Sequence, residues 1–353
     1  MAGIPIPRVL DDLTSSWFAD ALGRDVGGDA RVEPIGVGVG ILGQLAKVRL
    51  GDGTRLVAKI ATAYDETRAI AQFYGFYRTE VSFYRDVAHR DMGLRLPCCH
   101  YADLSDDAGY FALLLEDLSD AVALDQIDGC PVPQAERVVD AMAAFHAHWW
   151  QSPALDELSW LRPLNNDAYK AGQQTYEQVR PLFVDRYAAK LPAKGVEIAQ
   201  RLGGQLAEMY DNVVATRPLT IAHTDLRLDN MFFDLPDGSP FALLDWQLTI
   251  RGVGAGDVAY FLSESLQIED RRTHEDKLLR RYHDALVAHG VRDYSFDDCW
   301  LDYLRGLVLS LAIPVVGSSM EAGNERGRRL MDTMVERAII AVADHDAGRV
   351  LLR

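Results

Sequence analysis

The sequence predicts an α+β fold in two lobes: a small N-terminal lobe of antiparallel sheet plus a helix, and a larger C-terminal lobe that is mostly helical. Three observations carry this. At 353 residues the chain exceeds what a single hydrophobic core usually holds. Residues 31–62 alternate apolar and polar side chains around glycine turns, which is the period of strands. After Pro131 and Pro133 the period becomes helical almost to the end. The lobe boundary is drawn between residues 117 and 118, giving an N-terminal unit of 1–117 and a C-terminal unit of 118–353.

Taken in order, residues 8–24 predict a helix with Leu10, Leu13, Trp17 and Leu22 on one apolar side. A run into Val37, a strand over 44–50, a Gly51-Asp52-Gly53 turn and a strand over 55–60 then form an antiparallel meander. Residues 65–89 predict one helix with an aromatic side. Residues 96–102 and 110–115 predict two further strands around the turn 105–109, completing a sheet of about five. Helices follow over 132–150, 165–190 and 193–216. A strand-like interruption at 220–246 comes next, with Met231, Phe232 and Phe233 and then 241–245 around the turn 236–239. Helices resume near 257, 270–289, 296–313 and 325–347.

The chemistry-bearing residues sit in that frame. Gly38, Gly40 and Gly43 read G-x-G-x-x-G between two strands, the context of a flap laid over ATP phosphates rather than of a dinucleotide turn, where the third glycine opens a helix. A glycine-rich hairpin with no ligand has the same spacing. Lys59 ends the next strand in V-A-K, the position of a phosphate-gripping lysine. Its expected partner is Glu80, a carboxylate among Phe76, Tyr77, Phe83 and Tyr84 that burial would penalise unless it were paired. Backbone groups around Glu116 to Leu118, directly after an apolar strand, are candidates for the adenine edge; a plain strand-to-helix loop is the competing reading.

The stretch 220–246 holds His223, Asp225 and Asn230 in the order and spacing of a kinase catalytic loop, H-x-D-x-x-x-x-N, with Asp245 closing a second apolar strand. In-line phosphoryl transfer needs a nucleotide, a metal and an acceptor hydroxyl held together, and the protein supplies mainly position and charge. Asp225 is the candidate to orient or deprotonate the hydroxyl, Asn230 and Asp245 to hold Mg²⁺, Arg227 to neutralise the moving phosphate, and His223 to order the loop. Any one of these alone reads as a turn or surface polar group. Together, in chain order with the flap, Lys59 and Glu80, they point to a protein-kinase-like fold using ATP and Mg²⁺. Asp257 is expected to cap the following helix and brace the loop.

HTDLRLDN, LLDWQ and AFHAHWW resemble, in turn, the catalytic-loop motif, the metal-binding motif and a helix of the aminoglycoside phosphotransferase, choline kinase and ecdysteroid-kinase-like superfamily. The resemblance covers the chain after about residue 30 and implies a kinase fold acting on small molecules. Thr224 stands where many members have Gly, and Trp246-Gln247 replaces the Phe-Gly of protein kinases while keeping the metal ligand.

Composition narrows the partners. A formal charge of −16 with no basic cluster disfavours nucleic acid and anionic membranes. The apolar run 306–317 is too short for a bilayer span and contains Pro314, and residues 1–10 lack a basic start and cleavage site, so a cytoplasmic protein without a membrane span is expected. Cys98, Cys99, Cys130 and Cys299 form no metal-binding pattern, and His146 and His148 fall on different faces of a helix. Asp257 follows Asp245 by only twelve positions and no A-P-E follows, which favours a small-molecule acceptor over a protein. A catalytically inactive nucleotide-binding protein and a protein kinase are the alternatives. Aminoglycoside, choline-like amine, steroid and sugar all stay open as acceptors, with Glu264, Glu269, Asp270 and Asp298 either candidate acidic contacts or, equally, solvated helix faces.

Overall fold

The computed structural model describes residues 4–36, 42–319 and 324–352. Thr14 caps α1 (Ser15–Leu22) by accepting from the Trp17 amide, so the predicted helix over 8–24 begins only after a short 3₁₀ turn at Leu10–Asp12. The strands β1 (Arg31–Ile35), β2 (Gly43–Arg49) and β3 (Arg55–Ala61) form the predicted meander. Next come α2 (Asp65–Tyr74) and α3 (Phe76–Asp86), then β4 (Cys99–Leu104) and β5 (Phe111–Glu116). All five strands make one sheet in the order β1-β2-β3-β5-β4, with Lys59 opposite Leu113.

Strand alternation sorts this sheet into two faces. Leu56, Ala58 and Ile60 with Ala112 and Leu114 bury against Trp17 and Phe18 of α1. Ala61, Phe111, Leu113 and Leu115 bury on the other side against Tyr77, Val81 and Tyr84 of α3. Lys59, by its parity, faces α3. A cation is thereby placed in an apolar layer where only a carboxylate on that helix can meet it.

The predicted helix over 65–89 is two helices because Gly75 adopts φ +70°, a left-handed conformation that caps α2 and turns the chain into α3. A Cβ on Gly75 would also lie 1.5 Å from Nη2 of Arg162, which covers the turn.

The rest is mostly helical. A short strand β6 (Val122–Ala123) precedes α4 (Val132–Trp149), α5 (Asp167–Tyr187), α6 (Ala193–Leu202) and α7 (Leu206–Thr216). A 3₁₀ turn at Gly203–Gln205 divides the single helix expected over 193–216, where two adjacent glycines weaken the helical backbone. The interruption then contains β7 (Thr220–Ala222), β8 (Met231–Phe233), β9 (Phe241–Leu243) and β10 (Ile250–Gly252). β8 and β9 pair as the predicted hairpin with β6 added at the edge, while β7 pairs with β10. The last helices are α8 (Gly254–Ser265), α9 (Ile268–Ala288), α10 (Phe296–Ser310), α11 (Ala312–Gly317) and α12 (Glu325–Asp344).

Phe296–Gly317 is long and apolar enough by composition to cross a membrane. Here it is broken at Leu311, and Tyr303, Leu304, Leu307, Val308, Leu311 and Val315 are buried in the helical core.

Replacing Gly75 by Ala forces a side chain into a left-handed position, which costs about 1–2 kcal/mol. The Arg162 guanidinium, at the end of a flexible side chain, moves aside cheaply. A urea titration of the Gly75→Ala variant should therefore show a loss of that size with an unchanged m-value; no loss would contradict the backbone assignment.

Candidate active site

Three segments far apart in sequence meet at Lys59. Its Nζ donates to Glu80 Oε1 at 2.8 Å and to Asp245 Oδ1 at 2.9 Å. Lys59 is 8% exposed and Glu80 is 1% exposed, so the cluster is shielded from water. Burial works against the charged ammonium, but the Asp245 and Glu80 carboxylates outweigh it and raise the Lys59 pKa. Burial pushes Glu80 up to about 7 against the pull of Lys59, whereas Asp245, despite burial, is held below its usual value by Lys59. Among the described residues Glu80 Oε2 has no hydrogen-bond partner. Glu66 of α2 and Asp86 of α3, nearer the ends of these helices, are exposed.

Asp245 reaches Lys59 because it leaves β9 in a left-handed conformation, φ +63°, unusual for a non-glycine residue. Trp246 beside it stacks on Phe83 of α3, with ring centroids 3.9 Å apart and planes 6° from parallel. The aromatic pair fixes the turn against the helix that carries Glu80.

Of the glycine flap, Gly43 opens β2 directly over Lys59, where an added Cβ would meet Lys59 Cε at 3.6 Å and the Ile60 carbonyl at 3.1 Å. Gly38 and Gly40 lie outside the described residues. Tyr77 of α3 donates to the Leu42 carbonyl and accepts from the Thr62 amide, tying the end of the flap to the end of β3. The Glu116 side chain is a clamp: both its oxygens accept from Arg95 Nη2 at 2.8 Å, and Oε2 also accepts from the Cys98 amide. The Glu116 amide donates to Cys98 and the Leu118 carbonyl accepts from Ala121. Among the described residues the Leu118 amide takes part in no hydrogen bond.

The loop after β7 is rigidly held. Asn230 Nδ2 donates to Asp225 Oδ2 and to the Asp225 carbonyl, both at 2.9 Å, and the Tyr260 hydroxyl donates to Asp225 Oδ1 at 3.2 Å. Arg227 Nε lies 3.3 Å from Asp225 Oδ1, without hydrogen-bond geometry. His223 Nε2 donates to the Leu244 carbonyl and Nδ1 accepts from the Asp225 amide. With both ring nitrogens engaged by backbone, His223 orders the loop and is not free to act as a base. An aspartate fixed in this manner can orient a hydroxyl, and the neighbouring guanidinium supplies positive charge.

Asp257 braces this loop from α8. Its Oδ2 accepts from the His223 amide at 2.7 Å and its Oδ1 from the Thr224 amide at 2.8 Å, while His146 Nε2 lies 3.2 Å from Oδ2. The expected bracing is present, but the helix cap is not: Val253 is the N-cap and no side chain caps it. Thr224 itself is left-handed, φ +63°, and its hydroxyl donates to the Leu248 carbonyl. Glycine suits such a backbone without strain; here the hydroxyl bond and the Asp257 carboxylate hold threonine in it.

Beside the loop lies a cavity of about 230 Å³, lined chiefly by aromatic and aliphatic side chains, Tyr74, Phe76, Tyr169, Tyr210, Leu248 and Ile313 among them. Thr224, Asp257 and Tyr260 also line it, so its wall includes the chain neighbour of Asp225 and the tyrosine that donates to it. The acidic acceptor contacts expected from the sequence are elsewhere. Glu269 and Asp270 are exposed, Asp298 caps α10 and pairs with Arg217, and Glu264 is fully buried with both oxygens unpartnered, its pKa raised well above normal by burial.

Sequence reading missed Tyr260 and Gln126, whose side-chain oxygen accepts from the Leu228 amide. Tyr260 is three residues beyond Asp257 on one helix face, a spacing that could have suggested it. Gln126 lies in a loop with no periodic signal.

A sequence model of the ecdysteroid kinase-like family matches residues 46–292, well over half the chain and every candidate from Lys59 to Asp257. The chain belongs to this family. An uncharacterized kinase-like protein of Caenorhabditis elegans is 25% identical over 224 residues, 60% of this chain, and the chain spans only 56% of that relative's length. The fold is shared with a choline kinase from Cryptosporidium parvum: TM-score 0.56, 13% identity, 90% of this chain and 91% of that one. It is shared also with an ethanolamine kinase from Plasmodium vivax: TM-score 0.53, 11% identity, 90% and 83%. A GDP complex of an aminoglycoside 2′-phosphotransferase mutant gives TM-score 0.54 at 12% identity, covering 88% and 92%. The family's kinase-like α+β fold thus agrees with the sequence expectation.

Asp257→Ala would strand the buried amides of His223 and Thr224. Each unmade bond costs about 1–3 kcal/mol. Chemical denaturation should show a loss of at least about 2 kcal/mol, and an unchanged midpoint would refute the bracing role.

Proposed function

We propose that the chain is an ATP- and Mg²⁺-dependent phosphotransferase that moves the γ-phosphate to a hydroxyl of a small, largely apolar molecule. One observation carries the reading: the Lys59 ammonium bridges Glu80 and Asp245 in a buried site while Asp225 is fixed by Asn230 and by Tyr260, a residue of the wall of an apolar cavity. Membership of a kinase-like family supports the reaction class.

In this reading Lys59 keeps one N–H for a phosphate oxygen, since its ammonium has three donors and two are engaged. Gly38, Gly40 and Gly43 let the flap backbone approach the phosphates, and the free Leu118 amide meets the adenine edge. Asn230 and Asp245 fit a magnesium ion: the Asn230 nitrogen is occupied by Asp225, so its oxygen is the free end, and Asp245 adds a carboxylate. Two protein oxygens suit a hard cation that otherwise keeps water and phosphate oxygens. When bound, the metal neutralises charge on the phosphates.

The chain's own residues do the rest. Asp225 orients the acceptor hydroxyl and takes its proton as the phosphate arrives, and Arg227 offsets the charge beside it. From Asp245 the chain passes through β10 straight into α8. That short return leaves little surface for a protein substrate and favours an acceptor that fits the cavity.

The direct test is a panel of hydroxylated small molecules assayed by ADP release, with mass spectrometry locating the phosphate; nucleotide binding without transfer across the panel would favour an inactive binding protein. Asp225→Asn should keep MgATP binding and lose about 10²–10⁴-fold in kcat, and a near-normal kcat would remove Asp225 from its role. Asp245→Ala should abolish Mg²⁺-dependent nucleotide binding by calorimetry, as should chelation in the parent protein; unchanged affinity would rule out its metal role.

A further inference from the structure

Most of the polar side-chain atoms on the cavity wall are engaged; the Tyr74 and Tyr210 hydroxyls, which also line it, are neutral groups that take part in no hydrogen bond among the described residues. Thr224 donates to Leu248, Tyr260 to Asp225 and Ser310 to Leu307. Asp257 uses both oxygens on loop amides. Asp302 accepts from Arg217 Nε at 2.6 Å and Nη2 at 3.0 Å, from the Tyr294 hydroxyl at 3.0 Å, and from Arg305 Nη1 at 3.1 Å. No lining carboxylate is left to face a ligand.

Arg305 is different. It is the only cationic side chain lining the cavity among the described residues, and its side chain is 20% exposed. Of the five N–H donors of a guanidinium, one is engaged by Asp302, and no other hydrogen bond of Arg305 occurs among the described residues. Arg217 already balances Asp302 through a two-nitrogen contact, so Arg305 is not required to neutralise it.

The position is built into the helix packing. Asp302, Arg305 and Leu309 share one face of α10, and Gly306 lets α8 approach so closely that an added Cβ would meet the Gly256 Cα at 2.8 Å. Tyr260, which holds Asp225, is on that same helix α8, one turn beyond Gly256.

We infer that the acceptor carries, besides the hydroxyl that is phosphorylated, a carboxylate or carbonyl oxygen that accepts hydrogen bonds from Arg305; this rests on the phosphotransferase reading of the same site. Largely shielded guanidinium donors at an apolar wall favour an oxygen acceptor with planar lone pairs. An ammonium ligand meets the opposite conditions. The aromatic faces of Tyr74 and Phe76 could attract a cation, but every lining carboxylate is occupied and the one unsatisfied charge is positive.

The test uses one straight-chain skeleton in four forms: an ω-hydroxy fatty acid, its methyl ester, the plain alcohol and the ω-amino alcohol. Transfer is read as kcat/KM, and binding is read separately by calorimetry with MgADP present. The acid should exceed the plain alcohol by about tenfold to hundredfold, the range of a charge-assisted hydrogen bond, with the ester between them and the amine last. In Arg305→Gln the acid-to-alcohol ratio should fall towards one, and in Arg305→Lys part of it should return; thermal melting checks that both variants fold. A ratio near one in the parent protein, or one that Arg305→Gln leaves unchanged, overturns the inference. An Arg305-dependent preference in calorimetry without any transfer would uphold the inference and overturn the kinase reading.

Discussion

A buried ammonium has to be neutralised where it stands, and the fold around Lys59 follows from that constraint. Strand parity turns the residue towards α3, into a layer otherwise made of Phe111, Leu113, Tyr77 and Val81. An unpaired charge there would be too costly to keep. Glu80 comes from the helix packed on that face and Asp245 from a turn 186 residues away, so one cation joins the N-terminal sheet, its helix and the turn after β9. Phe83 stacking on Trp246 supplies the apolar half of the same junction. The two contacts divide the work: the stack positions the turn, and the ion pair sets which atom of Asp245 faces the site.

The loop bearing Asp225 is fixed by a different device. Two consecutive amides, of His223 and Thr224, point to one carboxylate, and the left-handed backbone at Thr224 is what lets both do so. Asp257 is itself held by His146, whose other nitrogen contacts the Tyr282 hydroxyl, so α4 and α9 support the loop through α8. On the far side, Gln126 accepts from the Leu228 amide and donates to the Glu264 carbonyl, which also accepts from Arg337 of α12. Backbone polar groups that would otherwise be stranded in the helical core are satisfied by these side chains. The loop is irregular and still buried because each of its groups has a partner from a surrounding helix.

Much of this was legible in the sequence because local spacing encodes it. The strand meander, the hairpin of β8 and β9, and the order His223, Asp225, Asn230 depend on neighbours a few residues apart. Glu80 could be picked as the partner of Lys59 because its flanking aromatics announced burial. The break at Gly75 was missed since an isolated glycine inside a helical pattern has no fixed meaning until Arg162, 87 positions later, covers it. β6 and β10 are two and three residues long, shorter than any period can reveal. For Glu264 of α8 and the acidic residues after it, composition alone leaves ligand contacts and solvated helix faces equally open; the burial of Glu264 and the Arg217 pairing of Asp298 are tertiary facts that no spacing contains.

The cavity extends the same logic to the acceptor side. Tyr74 and Phe76 flank Gly75 and stack at 5.2 Å, so the turn that separates α2 from α3 also forms part of the cavity wall. Phe76 opens the helix that carries Tyr77, tied to Leu42 and Thr62, and Glu80, tied to Lys59. Another part of the wall is α8, which presents Tyr260 to Asp225. In the phosphotransferase reading, the acceptor is therefore gripped by the two helices that position the nucleotide lysine and the acceptor aspartate. Rigid elements carry both reacting partners, and the approach of one to the other is set by packing between α3, the turn at Asp245 and α8 rather than by a mobile segment.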